Sequence, residues 1–178
     1  PYPTNDFRFK AFIEKTKIKD KLVMGAWFFD NNQLYNTIYY PNKEILYKKT
    51  HLVPFGEYIP FISKLRGLID FFDLPMSNVT PGPKLQDNMR LINDYEVATP
   101  ICFDIAFPNT VRKMNISSFL MINISNDTWF GDSIGPYHHL NKARIRAIEN
   151  NKWVIRATNN GFSAIIDNNG TIVSKTEK

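Results

Sequence analysis

Hydrophobic and polar positions along the chain switch between a helical period and runs typical of strands. Apolar residues recur at helical spacing behind the capping oxygens of residues 4–6, which predicts a first helix over residues 6–17. The apolar run 22–29 and the β-branched and aromatic run 34–40 are separated by turn-forming residues 30–32. These two runs are therefore predicted to form a β-hairpin.

The remainder of the chain continues the alternation of strands and helices. Further strands are predicted at residues 44–51, 95–102, 117–124, 153–157, 162–167 and 171–174, and further helices at 104–113 and 137–150. Such alternation is typical of layered α/β folds. In the extended run 44–51, Tyr47, Lys49 and His51 share one face of the strand.

Residues 54–83 differ from their surroundings and form a proline-rich insertion. Apolar positions within residues 61–72 form one face of an amphipathic helix. Such a face usually packs on its own domain, and periodicity alone favours that outcome. The alternative is an arm that contacts a membrane or a lipid chain.

Length and composition indicate one folded domain over residues 1–178. The chain has 178 residues, of which 43% are hydrophobic, so it can bury one core. The chain has a net charge of +5, and its basic residues are spread along the sequence and interleaved with acidic ones. The absence of a clustered basic stripe in the sequence argues against a nucleic-acid partner. A mildly basic surface near anionic lipid, or a solvated surface with no partner, explains the charge equally well. No apolar run is long enough to cross a bilayer, and the start at Pro1 without Met suggests a segment of a longer protein.

Cys102 is the single cysteine and the first candidate for chemistry. It lies between a predicted strand and a predicted helix, where backbone N–H groups and the helix dipole stabilise a thiolate. A buried structural cysteine is the alternative, and position alone leaves both open. His51, His138 and His139 offer only a weak Cys-His pairing. Because the adjacent residues His138 and His139 diverge on a helix, we assign no metal. No cofactor is expected.

Three motifs together resemble the nitrilase-like domain of apolipoprotein N-acyltransferases. They are the segment 47–58, which contains His-Leu-Val-Pro-Phe-Gly-Glu, the Ile-Cys pair at 101–102, and Asn-Ile-Ser-Asn-Asp-Thr-Trp-Phe-Gly at 123–131. The similarity continues through residues 143–149 and 156–161. It covers most of the chain from about residue 22, and the first motif is highly specific within the wider nitrilase group.

The resemblance implies a nitrilase-like αββα sandwich that lacks its N-terminal strand and the loop bearing the general base. It places Cys102 as the nucleophile, Lys49 as the catalytic lysine and Glu57 as a further glutamate of the active site. Lys49 would stabilise the oxyanion that develops at the carbonyl. The sites predicted to contact substrate are Phe103, Asp104, Trp129 and Phe130.

The implied reaction joins a phospholipid acyl donor to an apolipoprotein. The acyl chain passes through a thioester on Cys102 to the amino group of a diacylated N-terminal cysteine. The implied location is the bacterial cytoplasmic membrane, with this domain on the periplasmic side. In that setting residues 54–83 gain weight as a lipid-facing or substrate-covering insertion.

Two departures from the family pattern leave alternatives open. The family's general-base glutamate belongs to an upstream Pro-Glu motif that does not occur before Leu22, and Glu14 lacks the flanking residues. The base is therefore expected upstream of Pro1, or this copy is defective. Phe103 and Asp104 also replace the family's usual Tyr-Glu. The alternatives are a soluble carbon-nitrogen hydrolase acting on a small amide, and a non-catalytic decayed domain.

Overall fold

A computed structural model describes residues 3, 4, 6–17, 19–43, 45–60, 78–91 and 94–177. In the described residues the helices are α1 (Phe7–Lys15), α2 (Pro108–Asn115) and α3 (Gly135–Asn150), with short 3₁₀ turns at Lys19–Lys21, Cys102–Ala106 and Thr128–Phe130. The strands are β1 (Met24–Asp30), β2 (Gln33–Tyr40), β3 (Ile45–Lys48), β4 (Met89–Arg90), β5 (Glu96–Ala98), β6 (Leu120–Asn126), β7 (Val154–Asn159), β8 (Ala164–Ile166) and β9 (Ile172–Lys175).

The first sheet is the predicted hairpin extended by one strand. Strands β1, β2 and β3 are antiparallel neighbours in that order. Asn31 and Asn32 both have positive φ, of 47° and 61°, which matches the twist of a two-residue hairpin turn. Helix α1 begins at its predicted cap, because the Asp6 carboxylate accepts a hydrogen bond from the Arg8 N–H at 2.8 Å.

The second sheet has the order β4-β5-β6-β7-β8-β9. Strands β5, β6 and β7 are parallel, and the flanking strands are antiparallel to their neighbours. Parallel strands need crossover connections, which α2 and α3 provide. The carboxyl ends of β5, β6 and β7 therefore meet at one edge of the sheet.

The two sheets pack face to face between outer helices, which confirms the predicted αββα sandwich. Gly25 of β1 lies against Ile124 of β6, where an added Cβ would be 3.4 Å from the isoleucine side chain. Buried side chains between the sheets include Ile38, Tyr47, Val97 and Ile122. Helix α1 covers the other side of the first sheet through its buried Phe9, and α2 and α3 cover the second sheet.

Several predicted boundaries were wrong for local reasons. The strand predicted at 95–102 ends at Ala98, because Pro100 cannot donate to a ladder. The helix predicted at 104–113 is divided by Phe107, whose backbone is extended before Pro108. The amphipathic helix predicted within residues 61–72 lies outside the described residues. None of the helices in the described parts of the chain has the length and hydropathy needed to span a bilayer.

Candidate active site

A buried ion pair joins Lys49 to Glu57. The two side chains are 1% and 8% exposed, and Lys49 Nζ lies 2.5 Å from Glu57 Oε2. Glu57 also accepts hydrogen bonds from the Asn36 amide at 2.8 Å and from the Val53 N–H at 2.9 Å. Three donors thus converge on the Glu57 carboxylate. Lys49 is therefore held in a buried position, unlike a mobile surface lysine.

The loop after β3 brings Glu57 back to Lys49. Val53 O accepts the N–H groups of Gly56 and Glu57, and Phe55 N–H donates to Tyr58 O at 2.7 Å. Phe55 has φ of 61°, a left-handed conformation that a tight loop imposes on it. The turn closes when the Glu57 carboxylate accepts the Val53 N–H. The sequence 53–58 thus positions a single carboxylate over the end of β3.

Cys102 occupies a strained position at the carboxyl end of the parallel strands. Ile101 forms an isolated parallel bridge with Ile124, and a 3₁₀ turn begins at Cys102. Cys102 has φ of 46°, which is unfavourable for a residue with a Cβ and costs about 1–2 kcal/mol. The side chain is half-buried against the cluster between the sheets. Strain of this kind is typical of functional sites.

Asp104 ties the Cys102 turn to the segment that carries Lys49. Its fully buried carboxylate accepts the His51 N–H at 2.8 Å and the Ile101 N–H at 3.2 Å, and it lies 3.0 Å from His51 Nδ1. The Tyr47 hydroxyl donates to the same carboxylate at 3.4 Å. Burial and the nearby Asp104 charge raise the pKa of Tyr47 well above its usual value. Tyr47 and His51 lie two residues before and two residues after Lys49, so these contacts tie the segment that carries Lys49 to the cysteine turn.

A second buried network contacts the backbone of Cys102. Asp127, which is fully buried, contacts His139 Nδ1 at 2.8 Å, the Arg156 guanidinium at 2.9 Å and the Ser125 hydroxyl at 2.6 Å. Arg156 also donates to the side-chain oxygen of Asn123. His139 Nε2 lies 3.1 Å from the backbone oxygen of Cys102. The network therefore reaches the backbone of the cysteine through the imidazole of His139.

Electrostatics within this network follow from burial and pairing. Burial raises the pKa of Asp127, but the hydrogen bonds from His139 and Ser125 and the neighbouring positive charges outweigh it. The net result is a pKa below the usual value of an aspartate. Burial also lowers the pKa of the Arg156 guanidinium, although Asp127 opposes that shift. The groups thus stabilise one another as a compact set of opposite charges.

The residues predicted to contact substrate lie in different surroundings. Trp129 and Phe130 are 61% and 39% exposed on the turn after β6. Phe103 is half-buried and packs edge-on against Phe107, with ring centroids 5.2 Å apart. Asp104 is fully buried and already hydrogen-bonded, so it is better placed to position the cysteine turn than to contact a substrate directly. All four assignments stay predictions.

The three histidines lie in different surroundings, and His138 and His139 diverge as predicted. His138 is exposed and His139 is buried, so their side chains diverge on α3. His51 stacks on Phe107 with ring centroids 3.7 Å apart. The contact of His139 is with the Cys102 carbonyl, in contrast to the thiol contact of a Cys-His pair.

Sequence reasoning missed Asp127, Arg156 and Asn123. Asn123 and Arg156 are paired across β6 and β7 and point to the helix side of the sheet. Polar residues within strands whose pattern otherwise predicts burial could have indicated this network, since buried polar groups need hydrogen-bond partners.

Comparison with known proteins gives one family over nearly the whole chain. The family model described as carbon-nitrogen hydrolase matches residues 12–178. The apolipoprotein N-acyltransferase of Pseudomonas paraeruginosa is 42% identical over 166 residues, which are 93% of this chain and 31% of that protein. That of Photobacterium profundum is 39% identical over 164 residues, or 90% and 32% of the two chains. The chain thus spans about a third of the length of these relatives.

Solved structures share the fold at low sequence identity. A carbon-nitrogen hydrolase from Helicobacter pylori G27 superposes with a TM-score of 0.65 at 16% identity, covering 95% of this chain and 63% of that one. A glutamine-dependent NAD+ synthetase from Acinetobacter baumannii gives a TM-score of 0.67 at 16% identity, covering 98% and 33%. These similarities confirm the fold.

Proposed function

Because the chain belongs to the carbon-nitrogen hydrolase family, we propose that it transfers acyl groups through a thioester on Cys102. The donor is a phospholipid, and the acceptor is the α-amino group of a diacylated N-terminal cysteine in an apolipoprotein. Similarity to apolipoprotein N-acyltransferases supports these substrate classes. The observation that carries the proposal is a strained cysteine whose turn is tied, through Asp104, to the segment of a buried lysine.

The first half-reaction loads the enzyme. The Cys102 sulfur forms a bond to the ester carbonyl carbon, and the carbonyl electrons move onto oxygen. When the tetrahedral intermediate collapses, the bond to the glycerol oxygen breaks. That oxygen leaves with the proton that the thiol has lost, so the products are a thioester and a lysophospholipid.

The second half-reaction transfers the acyl chain from Cys102 to the acceptor. The free amine of the lipidated cysteine attacks the thioester carbonyl and forms an amide bond. The carbon–sulfur bond breaks, and the proton released by the amine returns to the Cys102 thiolate. Enzyme and thiol are regenerated without a cofactor, and we assign the general base to no residue of this chain.

Lys49 supplies the fixed positive charge in both steps. A preorganised cation stabilises the oxyanion of each tetrahedral intermediate without reorganisation during the reaction. Glu57 holds the ammonium group in place through the 2.5 Å contact. Its bonds to Asn36 and Val53 keep the carboxylate itself from moving.

The remaining predicted residues shape the substrate site. Asp104 positions the cysteine turn through its buried hydrogen bonds. Phe103, Trp129 and Phe130 offer apolar surface to an acyl chain. We propose that residues 54–83 form a lipid-facing or substrate-covering insertion, and that the domain works on the periplasmic side of the bacterial inner membrane.

A transfer assay tests the proposal. The intact protein, purified in detergent, is incubated with phospholipid and a peptide that carries a diacylglyceryl N-terminal cysteine. We expect mass spectrometry to show one added acyl chain as an amide, together with lysophospholipid. The same peptide with an acetylated amine is the matched control and should gain nothing. Release of free fatty acid without peptide acylation would contradict the transferase and indicate a hydrolase.

A further inference from the structure

His139 lies between a carboxylate and a backbone carbonyl. It belongs to α3, is 6% exposed, and its ring contacts Asp127 Oδ1 through Nδ1 at 2.8 Å. The other ring nitrogen, Nε2, is 3.1 Å from the carbonyl oxygen of Cys102. The ring of Phe130 approaches edge-on, with centroids 5.8 Å apart. The imidazole thus connects α3 to the turn that carries the cysteine.

The partners of the ring assign its protons. A carbonyl oxygen only accepts hydrogen bonds, so Nε2 must donate to Cys102. An ionised carboxylate also only accepts, so Nδ1 must donate to Asp127. A neutral imidazole has one N–H and satisfies only one of these bonds. Both bonds together require a doubly protonated ring.

The other contacts of Asp127 support its ionised form. Arg156 donates to Oδ2 at 2.9 Å, and the Ser125 hydroxyl donates to Oδ1 at 2.6 Å. With His139, the carboxylate receives donors on both oxygens, two of them from cationic groups. The hydrogen-bond pattern is that of an aspartate between an imidazolium and a guanidinium. This set has a net charge of one positive unit and contacts the Cys102 carbonyl through His139.

We propose that His139 is a positioning residue for Cys102 and acts as an imidazolium. Its bond to the Cys102 carbonyl fixes the left-handed backbone at that residue, where φ is 46°. On the other side of the turn, Asp104 holds the Ile101 N–H. The cysteine turn is thus held by His139 through the carbonyl of Cys102 and by Asp104 through the preceding N–H of Ile101. The link to acyl transfer rests on the proposed function.

Two substitutions separate the two bonds of the ring. In His139→Asn the side-chain amide nitrogen lies near the position of Nδ1. This variant therefore keeps the hydrogen bond to Asp127 and loses the hydrogen bond to the Cys102 carbonyl. In His139→Gln the amide nitrogen reaches the position of Nε2 and can still donate to the Cys102 carbonyl. Neither variant carries the charge, and both have similar polarity. The pair therefore serves as its own matched control.

Alkylation of Cys102 reports on the position of its sulfur without any lipid substrate. In the intact protein, iodoacetamide labelling of Cys102 is followed by peptide mass spectrometry. We expect His139→Asn to slow labelling about 10-fold to 100-fold, the range for loss of a charge-assisted hydrogen bond. His139→Gln should be intermediate. Labelling of both variants at the wild-type rate, or of Gln no faster than Asn, would overturn the positioning role.

Nitrogen NMR of the wild-type protein tests the charge directly and does not depend on a variant's stability. The intact protein is labelled with ¹⁵N-histidine, and the His139 signals are identified by their loss in His139→Gln or His139→Asn. Two protonated ring nitrogens at pH 7 are expected. One unprotonated nitrogen at that pH would overturn the imidazolium.

These measurements are independent of the proposed acyl transfer. A chain that shows the doubly protonated ring and the graded labelling, yet never carries an acyl group, would refute the proposed function alone. A chain that is acylated on Cys102 but has a neutral His139 would refute this inference alone.

Discussion

Replacing Lys49 with methionine should destabilise the fold far more than the same change at Lys48. Methionine preserves much of the length of the side chain but leaves Glu57 as a buried carboxylate without its ammonium partner. Removing one member of a buried pair costs about 3–5 kcal/mol. For a chain of this size, about 2–4 °C in Tm accompanies each kcal/mol, so Tm should fall by about 6–20 °C.

Lys48 is the matched control because it lies next in sequence on the outer strand face. Its Nζ is 3.7 Å from Asp30, and the two side chains are 23% and 44% exposed. This partly exposed pair and the contact of Lys48 Nζ with the Tyr35 ring, 3.9 Å from its centroid, each contribute at most about 1 kcal/mol, so Lys48→Met should lower Tm by at most about 8 °C. Only the Lys49 variant should also lose acyl transfer.

The assay is thermal unfolding of the 178-residue chain, followed by tryptophan fluorescence. The double variant Lys49→Met with Glu57→Gln removes both buried charges and should recover at least half of the lost stability. Equal Tm shifts for Lys48→Met and Lys49→Met would refute the assignment of Lys49 to a buried ion pair. A double variant no more stable than Lys49→Met would also contradict it.

Three further predictions follow from particular contacts. The lowered pKa of Asp127 contributes stability that is fully present above its usual value of 3.8 and is lost as pH falls through the folded value. Acid unfolding below about pH 4 should therefore be less steep in Asp127→Asn, a variant already less stable at neutral pH. Gly82→Ala should unfold at lower urea than wild type, because the new Cβ would lie 2.3 Å from the Lys48 carbonyl oxygen. Gly56→Ala, whose Cβ would meet its nearest neighbour at 3.4 Å, should behave nearly as wild type. Trp129→Ala should raise KM for phospholipid several-fold with kcat little changed, because that ring is 61% exposed and free to contact a lipid chain.

Each of these has a clear contrary result. An unchanged acid transition in Asp127→Asn would mean that another carboxylate controls it. Equal urea midpoints for Gly82→Ala and Gly56→Ala would contradict the close approach at Lys48. A loss of kcat without a change in KM for Trp129→Ala would move that residue from substrate binding to the chemical step.

The sequence predicted secondary structure well where neighbouring residues alone determine the backbone conformation. The hairpin followed from Asn31 and Asn32, which tolerate the positive φ that its turn requires. The break at Phe107 before Pro108 was equally local, since proline disfavours helix at the preceding residue. It was overlooked because the surrounding apolar pattern is helical.

The site depended on contacts that no local pattern encodes. Asp127 is 29 residues from Arg156 and 12 from His139, and only the pairing of β6 with β7 and the packing of α3 bring them together. Periodicity placed Tyr47, Lys49 and His51 on one face but did not reveal that Lys49 is buried. The assignment of Lys49, Glu57 and Cys102 to the candidate site came from motif resemblance, which carries long-range information that spacing lacks, and it stays a prediction.

The central claim is that Cys102 carries the acyl chain, and peptide mass spectrometry of the intact protein after incubation with phospholipid tests it most directly. The account predicts an acyl group on Cys102 that neutral hydroxylamine removes, no such group in Cys102→Ala, and any ester formed in Cys102→Ser resistant to the same treatment. An unmodified Cys102 with no lysophospholipid released would contradict the account and indicate a non-catalytic domain.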